Sequence, residues 1–200
     1  MTGYRAVRAT VRKAVAAELP AVSGVFSRAF HDDPVTRWAI PDPDRRRQLL
    51  PRFFELTATA LQRHDQLYLA PDAVGAAMWA PPGAELDDPG IEPGMQAFAG
   101  ADTARLLEIG ALLAEHHPTG SYWYLQFVGV DPDWQGNGIG SALMAPVLRR
   151  CDRERRPAYL EASSERNRRL YERHGFETAG VLAPAGGPPL WPMWRHPATS

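Results

Sequence analysis

The sequence predicts a mixed α/β fold in a single domain, and three observations lead there. Short apolar runs of strand length alternate with segments whose apolar residues recur at three- and four-residue spacing. The second half contains a strand, a glycine-rich turn, a helix and another strand in direct succession, a strand–helix–strand unit. The chain has 200 residues, 44% of them hydrophobic, enough for one core that buries roughly two-thirds of the unfolded surface. Residues 1–200 are therefore read as one domain.

TVRKAV, Thr10 to Val15, reads as a short strand. A helix follows with Pro20 in its first turn; Leu19, Val22, Val25, Phe26, Ala29 and Phe30 form its apolar stripe. HDDPVTRWAIPDPD, His31 to Asp44, reads as turns. Asp44 is placed to cap a second helix whose apolar side carries Leu49, Leu50, Phe53, Phe54, Thr57 and Leu61. QLYLA and VGAAMWA, separated by PDA, make a hairpin. Residues 81–94 hold too much Pro and Gly for regular structure and read as a mobile loop. Thr103 to Glu115 is a helix carrying Leu106, Leu107, Ile109, Leu112 and Leu113.

SYWYLQFVGV, Ser121 to Val130, is a long strand, and DPDW turns the chain into QGNGIG. A helix follows from about Ile139 to Arg155; Pro146 inside it should kink or break it. PAYLEAS is the next strand. SERNRRLYERHG is a helix with Ser164 as cap and Gly175 as left-handed stop. FETAGV, Phe176 to Val181, and LWPMWRH, Leu190 to His196, are strands, the last assigned to an edge or a bulge because of Pro192.

Composition narrows the function. The formal net charge is −1, from 22 basic and 23 acidic residues, which gives no basis for nucleic acid or anionic membrane as a partner. Cys151 is the only cysteine, so no intrachain disulfide forms. Its place along a helix suits a half-buried small residue better than a nucleophile. No apolar run reaches about 18 residues, and MTGYRAVRATVRKAV has no apolar core of a secretory signal. A reducing cytoplasm is the expected compartment.

QGNGIG, Gln135 to Gly140, carries the chemistry. Its glycines stand at 136, 138 and 140, which breaks the G-x-G-x-x-G spacing of a dinucleotide loop; the absence of a following Lys excludes the triphosphate loop. A concave turn of successive backbone N–H groups at a helix start remains, suited to a pyrophosphate without a metal. Ser141 adds a hydroxyl donor. A plain strand–helix turn is the alternative.

The stretch VGVDPDWQGNGIGSALMAPVL resembles the acetyl-CoA signature of the GNAT superfamily of N-acetyltransferases, with Gln135, Gly138 and Gly140 at the Q/R-x-x-G-x-G/A positions. YLEASSERNRRLYERHGF resembles the family's second half, and the likeness runs from about Tyr122 to Val181. Within the superfamily, the DPVTRW segment, the WYL…VGV strand and the PLW-M-R ending resemble puromycin N-acetyltransferase and its actinobacterial relatives. The resemblance implies a mixed, strongly twisted central sheet flanked by helices, acetyl-CoA as cosubstrate, no metal, and a small-molecule amine as acceptor to a monomer or homodimer. It implies that Val128 and Val130 bond the pantetheine arm, and that Gln135, Gly136, Asn137, Gly138, Ile139, Gly140 and Ser141 hold the pyrophosphate. It also implies that Asn167 contacts the arm and that Tyr171 protonates the leaving thiolate. A phenol with a pKa of about 10 carries the needed proton at neutral pH, and Asn167 lies one helical turn from Tyr171.

An ammonium acceptor must first lose a proton. Glu161 is the leading carboxylate for base or anchor; a salt bridge to an arginine is the structural alternative, and a water relay would need no base at all. Alternation sets Tyr159 and Glu161 opposite Leu160 and Ala162. Gln126 occupies the position of a carboxylate in some relatives and can orient an amine but not take its proton. Phe30, Asp32, Asp33 and Trp38 lie where relatives close over the acceptor, although turn or cap aspartates serve equally well before Pro34. His116 and His117 lack a third ligand at workable spacing and read as a helix end rather than a metal site. Acetylation of a peptide or protein amine, and a non-catalytic acyl-CoA sensor, are the rival functions.

Overall fold

The computed structural model describes residues 10–85, 89–100 and 103–198. Among these residues seven strands form one sheet in the order β1-β2-β3-β4-β5-β7-β6. They are β1 (Arg12–Lys13), β2 (Leu67–Leu69), β3 (Gly75–Ala80), β4 (Trp123–Val130), β5 (Ala158–Ala162), β6 (Glu177–Thr178) and β7 (Trp191–Arg195). The pairing of β4 with β5 is parallel and the remaining pairs are antiparallel, so the sheet is mixed as expected. The helices are α1 (Leu19–Phe30), α2 (Pro34–Ala39), α3 (Pro43–Gln62), α4 (Ile91–Ala99), α5 (Thr103–His116), α6 (Ile139–Glu154) and α7 (Glu165–Glu172).

Two apolar layers sandwich the sheet. On one face, Trp79, Trp123, Leu125 and Leu160 pack against Leu143, Met144 and Val147 of α6. On the other, Ala76 and Met78 pack against Val22, Val25 and Phe26 of α1 and Leu50 and Phe54 of α3. Cys151 has no exposed surface, so it belongs to the first layer outright rather than being half-buried. Burying one such side chain stabilises the fold by about 1.5–3 kcal/mol. That explains why α6 runs unbroken through Pro146. The lost hydrogen bond and ring clash cost about 3 kcal/mol, whereas Leu143, Met144, Val147, Leu148 and Cys151 are all buried around it.

β4 carries the irregularity that shapes the site. Met78 faces Phe127 while Trp79 faces Leu125, so Gln126 is an extra residue in a β-bulge. Before it, Trp123 and Leu125 point to the α6 layer; beyond it, Phe127 points to the α1–α3 layer and Val128 and Val130 to the α6 side. Pairing with β5 covers Trp123↔Ala158 and Tyr124↔Tyr159 and stops there. From Leu125 onward the two strands diverge.

Several boundaries differ from the sequence reading. Of Thr10–Val15 only Arg12–Lys13 pairs as strand, and of Phe176–Val181 only Glu177–Thr178. The segment read as turns contains α2, capped by Asp33, whose side chain accepts from Val35 N. Asp42 rather than Asp44 caps α3, accepting from the amides of Asp44 and Arg45. The loop assigned to 81–94 gives way to α4 at Ile91, with Pro93 in its first turn and Gly94 set tightly against Leu56; residues 86–88 of that loop lie outside the described residues. β7 is not at an edge but between β5 and β6. The Pro192 carbonyl accepts from Ala179 N at 2.8 Å. The missing donor therefore faces the side where β6 ends, and Pro192 costs no ladder bond to β5.

Candidate active site

The turn after β4 takes the shape its glycines allow. Gly136 and Gly138 have φ of +81° and +78°, the left-handed region, and nothing lies within 4 Å of the place where a Cβ would sit. Gly138 is the N-cap of α6. The first amides of a helix have no intrahelical acceptors, so they present donors and partial positive charge to whatever sits before them. Gln135 Nε2 donates to Val130 O at 3.1 Å and ties the turn to the end of β4. Asn137 turns its amide back onto Trp134 O, 3.1 Å away.

This turn is one end of a cleft of about 750 Å³. β4 contributes Val128, Gly129 and Val130; the turn and α6 contribute Gln135, Gly136, Gly138, Ile139, Gly140 and Ser141. Asn167, Leu170 and Tyr171 come from α7, and Phe30, Asp32 and Asp33 from the end of α1. Residues from three distant parts of the chain thus meet in one groove, where β4 has left β5. Arg28, Trp134, Arg166 and Arg173 also line it, with Ser164, expected only as a helix cap; the sequence gives no sign of the first four because an arginine or an isolated tryptophan carries no positional signal. Ser141 Oγ meets His174 Nε2 at 2.8 Å.

Ser164 caps α7 through Asn167 N, as its spacing predicts. That start fixes Asn167 and Tyr171 on the cleft side. Tyr171 is buried, and burial, with the nearby Asp33 charge adding, holds its phenol well above the ordinary value. Asp33 is both the cap of α2 and a wall of the cleft. Its carboxylate accepts from Ser163 Oγ. Burial raises its pKa from the usual carboxylate range, against lowering hydrogen bonds from Ser163 and the amides of Val35 and Thr36. Asp32 stands exposed beside Arg46 and His31.

Asn137, Glu161, Gln126 and Trp38 do not line this cleft; the Asn137 side chain is turned back onto its own loop. Trp38 packs with Ala39, Ile40, Leu49 and Ala99, and Arg105 lies over its ring. Glu161 lies on the other face of the sheet, in the layer of Tyr122, Tyr124, Tyr159 and Trp194. Its side chain is 5% exposed. Among the described residues, no arginine forms the structural salt bridge with it. Tyr124 OH donates to Oε2 at 2.8 Å, and His117 Nδ1 stands 3.9 Å from Oε1. Burial pushes the carboxyl up to about 7, opposed by hydrogen bonds from Tyr124 and Tyr159. Extending the parallel register two positions past Tyr124↔Tyr159 brings Gln126 level with Glu161 across the widening gap. The Oε1 atoms of both are buried without a hydrogen-bond partner, a costly arrangement that marks a place for a donor.

His116 closes α5, bonding back to Leu112 O. Among the described residues no three His, Cys, Asp or Glu side chains are grouped to hold a metal ion. Among the described residues, too, no helix is long and apolar enough to cross a membrane.

Known proteins share this architecture. Residues 99–178 match the model of the acetyltransferase (GNAT) domain. A crystal structure from Corynebacterium glutamicum, described as histone acetyltransferase HPA2 and related acetyltransferase, superposes with a TM-score of 0.72 at 30% identity. The superposition covers 96% of this chain and 98% of that one. An uncharacterized N-acetyltransferase of Schizosaccharomyces pombe is 29% identical over 74% of this chain and 66% of its own length. The mycothiol acetyltransferase of Thermobifida fusca is 34% identical over 44% of this chain, which spans only 27% of that protein. On the family model, the full-length structural match and the shared sheet, the chain belongs to the GNAT acetyltransferases.

Proposed function

We propose that this protein is an acetyl-CoA-dependent N-acetyltransferase that passes the acetyl group directly to the amine of a small molecule. The observation that carries the reading is the single cleft joining the Gly136–Ser141 turn, the unpaired stretch of β4 and Tyr171. The turn suits a pyrophosphate. Val128 and Val130 offer main-chain groups to the pantetheine arm, with Asn167 beside it. The gap between β4 and β5 takes the thioester, with amides near Val128 toward its carbonyl oxygen, where negative charge develops.

The chemistry then divides across the sheet. On one face Tyr171, its phenol held protonated by burial, donates to the leaving thiolate. On the other, Glu161, with a carboxyl near 7, takes the proton from the ammonium, since a base works best with a pKa near the working pH. Gln126 Oε1 orients the amine. The 5% exposure of Glu161 favours a slender amine over a folded protein surface. A puromycin-like aminonucleoside or an amino metabolite is the leading acceptor. The description of the Corynebacterium protein favours a second reading, a peptide amine.

Free-thiol release from acetyl-CoA over a panel of aminonucleosides, aminoglycosides, alkylamines and histone-tail peptides tests this. Turnover with a small amine is expected. Turnover confined to peptides would select the second reading, and tight CoA binding with no turnover would make the protein an acyl-CoA sensor.

A further inference from the structure

Resting on the reading of the cleft as the acetyl-CoA site, we infer that Trp134 is the platform on which the adenine base of the cosubstrate stacks. The chain has six tryptophans, and the fold itself employs the others. Trp79 and Trp123 have essentially no exposed surface. Trp38 and Trp191 lie under the guanidinium groups of Arg105 and Arg168, and Trp194 packs against Tyr122 and Tyr159. Trp134 is 44% exposed, and among the described residues its ring meets no other aromatic ring and no guanidinium. Of the large apolar side chains left exposed among the described residues, Val15, Trp134 and Val181, it alone lines the cleft. So large an apolar ring left in water gives the fold little, but it offers a flat ligand a broad π face.

The cleft is graded to put the base there. Val128 and Val130 are half-buried, whereas Trp134, Gly136 and Gly138 are exposed. The acyl arm runs from the pyrophosphate turn along β4 into the closed gap toward β5. The other side of a pyrophosphate leads through a ribose to the base, and so toward the open rim where Trp134 stands. Trp134 and Gly136 are two residues apart, at most about 7 Å along the chain, a spacing that one ribose can bridge.

The platform is held in place before any ligand arrives. Trp134 N donates to Asp131 O at 2.8 Å, and Trp134 O accepts from Asn137 Nδ2 at 3.1 Å. Pro132 stands in the first turn of the same short helical segment, and Asp131 is paired with Arg28 of α1 at 2.6 Å. Asn137, whose side chain stays out of the cleft, thus serves by fixing the residue that lines it. With the backbone already ordered, stacking costs only the rotamer freedom of one side chain. It needs no hydrogen bond to the base, so the ring face rather than the indole N–H carries the affinity.

Calorimetry of the full chain with acetyl-CoA and with acetyl-4′-phosphopantetheine, which lacks the nucleotide, decides it. Trp134→Ala should weaken acetyl-CoA binding about 10-fold or more and leave acetyl-4′-phosphopantetheine binding unchanged. Trp134→Phe keeps a π face and should recover most of the lost affinity. Adenosine 3′,5′-bisphosphate, used alone as a probe, should quench a part of the tryptophan emission that Trp134→Ala lacks. An equal loss for both acetyl donors would mean that the ring acts through the shape of the turn, and unchanged acetyl-CoA affinity would place the base elsewhere. Either result overturns the platform while leaving the turn as the pyrophosphate site. Failure of the wild-type chain to bind acetyl-CoA would overturn the reading of the cleft itself, and the platform with it.

Discussion

Replacing Glu161 by Gln should make the protein more stable and less active, and the gain should depend on pH in a defined way. The Glu161 carboxyl titrates near 7 in the folded chain against 4.5 for the ordinary group. The folded chain therefore binds this proton more tightly than the unfolded chain does. The stability that this difference confers is fully present below about 4.5 and is lost as pH rises through about 7. At about 1.36 kcal/mol per unit over that interval, the loss amounts to about 3 kcal/mol. Gln cannot titrate, yet its carbonyl still accepts from Tyr124 OH, which the carboxylate holds at 2.8 Å. Urea unfolding of both proteins at about pH 5 and about pH 8 isolates the local contribution of Glu161, because groups remote from it titrate alike in both. The difference in unfolding free energy should shift by about 2.5 kcal/mol toward the variant between the two conditions, since part of the interval lies below pH 5. An equal difference at both would mean that Glu161 titrates as an ordinary carboxylate, and with it would go the argument for a base poised near neutrality.

Tyr171→Phe should lower kcat on the order of 100-fold while calorimetric affinity for acetyl-CoA stays put; unaltered turnover would remove Tyr171 as the acid. Gly138→Asp sets a carboxylate in the nest at a φ of +78° and should cost at least about 10-fold in CoA affinity; retained affinity would show that the pyrophosphate lies elsewhere. A Cβ at Gly129 would come within 2.9 Å of Ala29 Cβ and 3.0 Å of Phe26 Cδ1. Gly129→Ala must therefore push α1 off the strand, costing about 1–3 kcal/mol as read by chemical denaturation; an unchanged midpoint would contradict that packing. Cys151 has no accessible surface and its thiol is pushed up to about 12. Ellman's reagent should therefore label the chain only after denaturation, leaving thiol-release assays without a protein background; rapid native labelling would show that this layer opens.

Legibility followed locality. Ser164 as cap, the left-handed Gly175 and the turn from Gln135 to Ser141 were readable because each depends on a few neighbouring residues. The helix over 139–154 was readable from its spacing, although its tolerance of Pro146 depends on burial that spacing does not reveal. α2 stayed hidden because HDDPVTRW reads equally as turn and as cap-plus-proline start, and six residues give too little periodicity to decide. α4 was masked by Pro93 and Gly94, the latter selected by the approach of Leu56 from α3. The interior place of β7 rests on its pairing with β5, some thirty residues away in the chain. In the site, Asn167 and Tyr171 were visible as a one-turn pair on a single helix. The bulge at Gln126 was not, because WYLQFVGV is apolar on both faces and hides its change of alternation. Nor was the approach of His117 to Glu161, which joins the end of one helix to a strand beyond another.

The parting of β4 from β5 gives this sheet an inner edge. An ordinary outer edge offers its unpaired amides to any passing chain, and so invites aggregation. Here the bare stretch of β4 opens into a groove walled by α7 and the turn before α6, not onto the outer boundary of the sheet. A slim ligand with amides of its own can enter and complete the ladder as an added strand would. The fold thus keeps the hydrogen-bonding appetite of an edge inside a groove rather than on its rim.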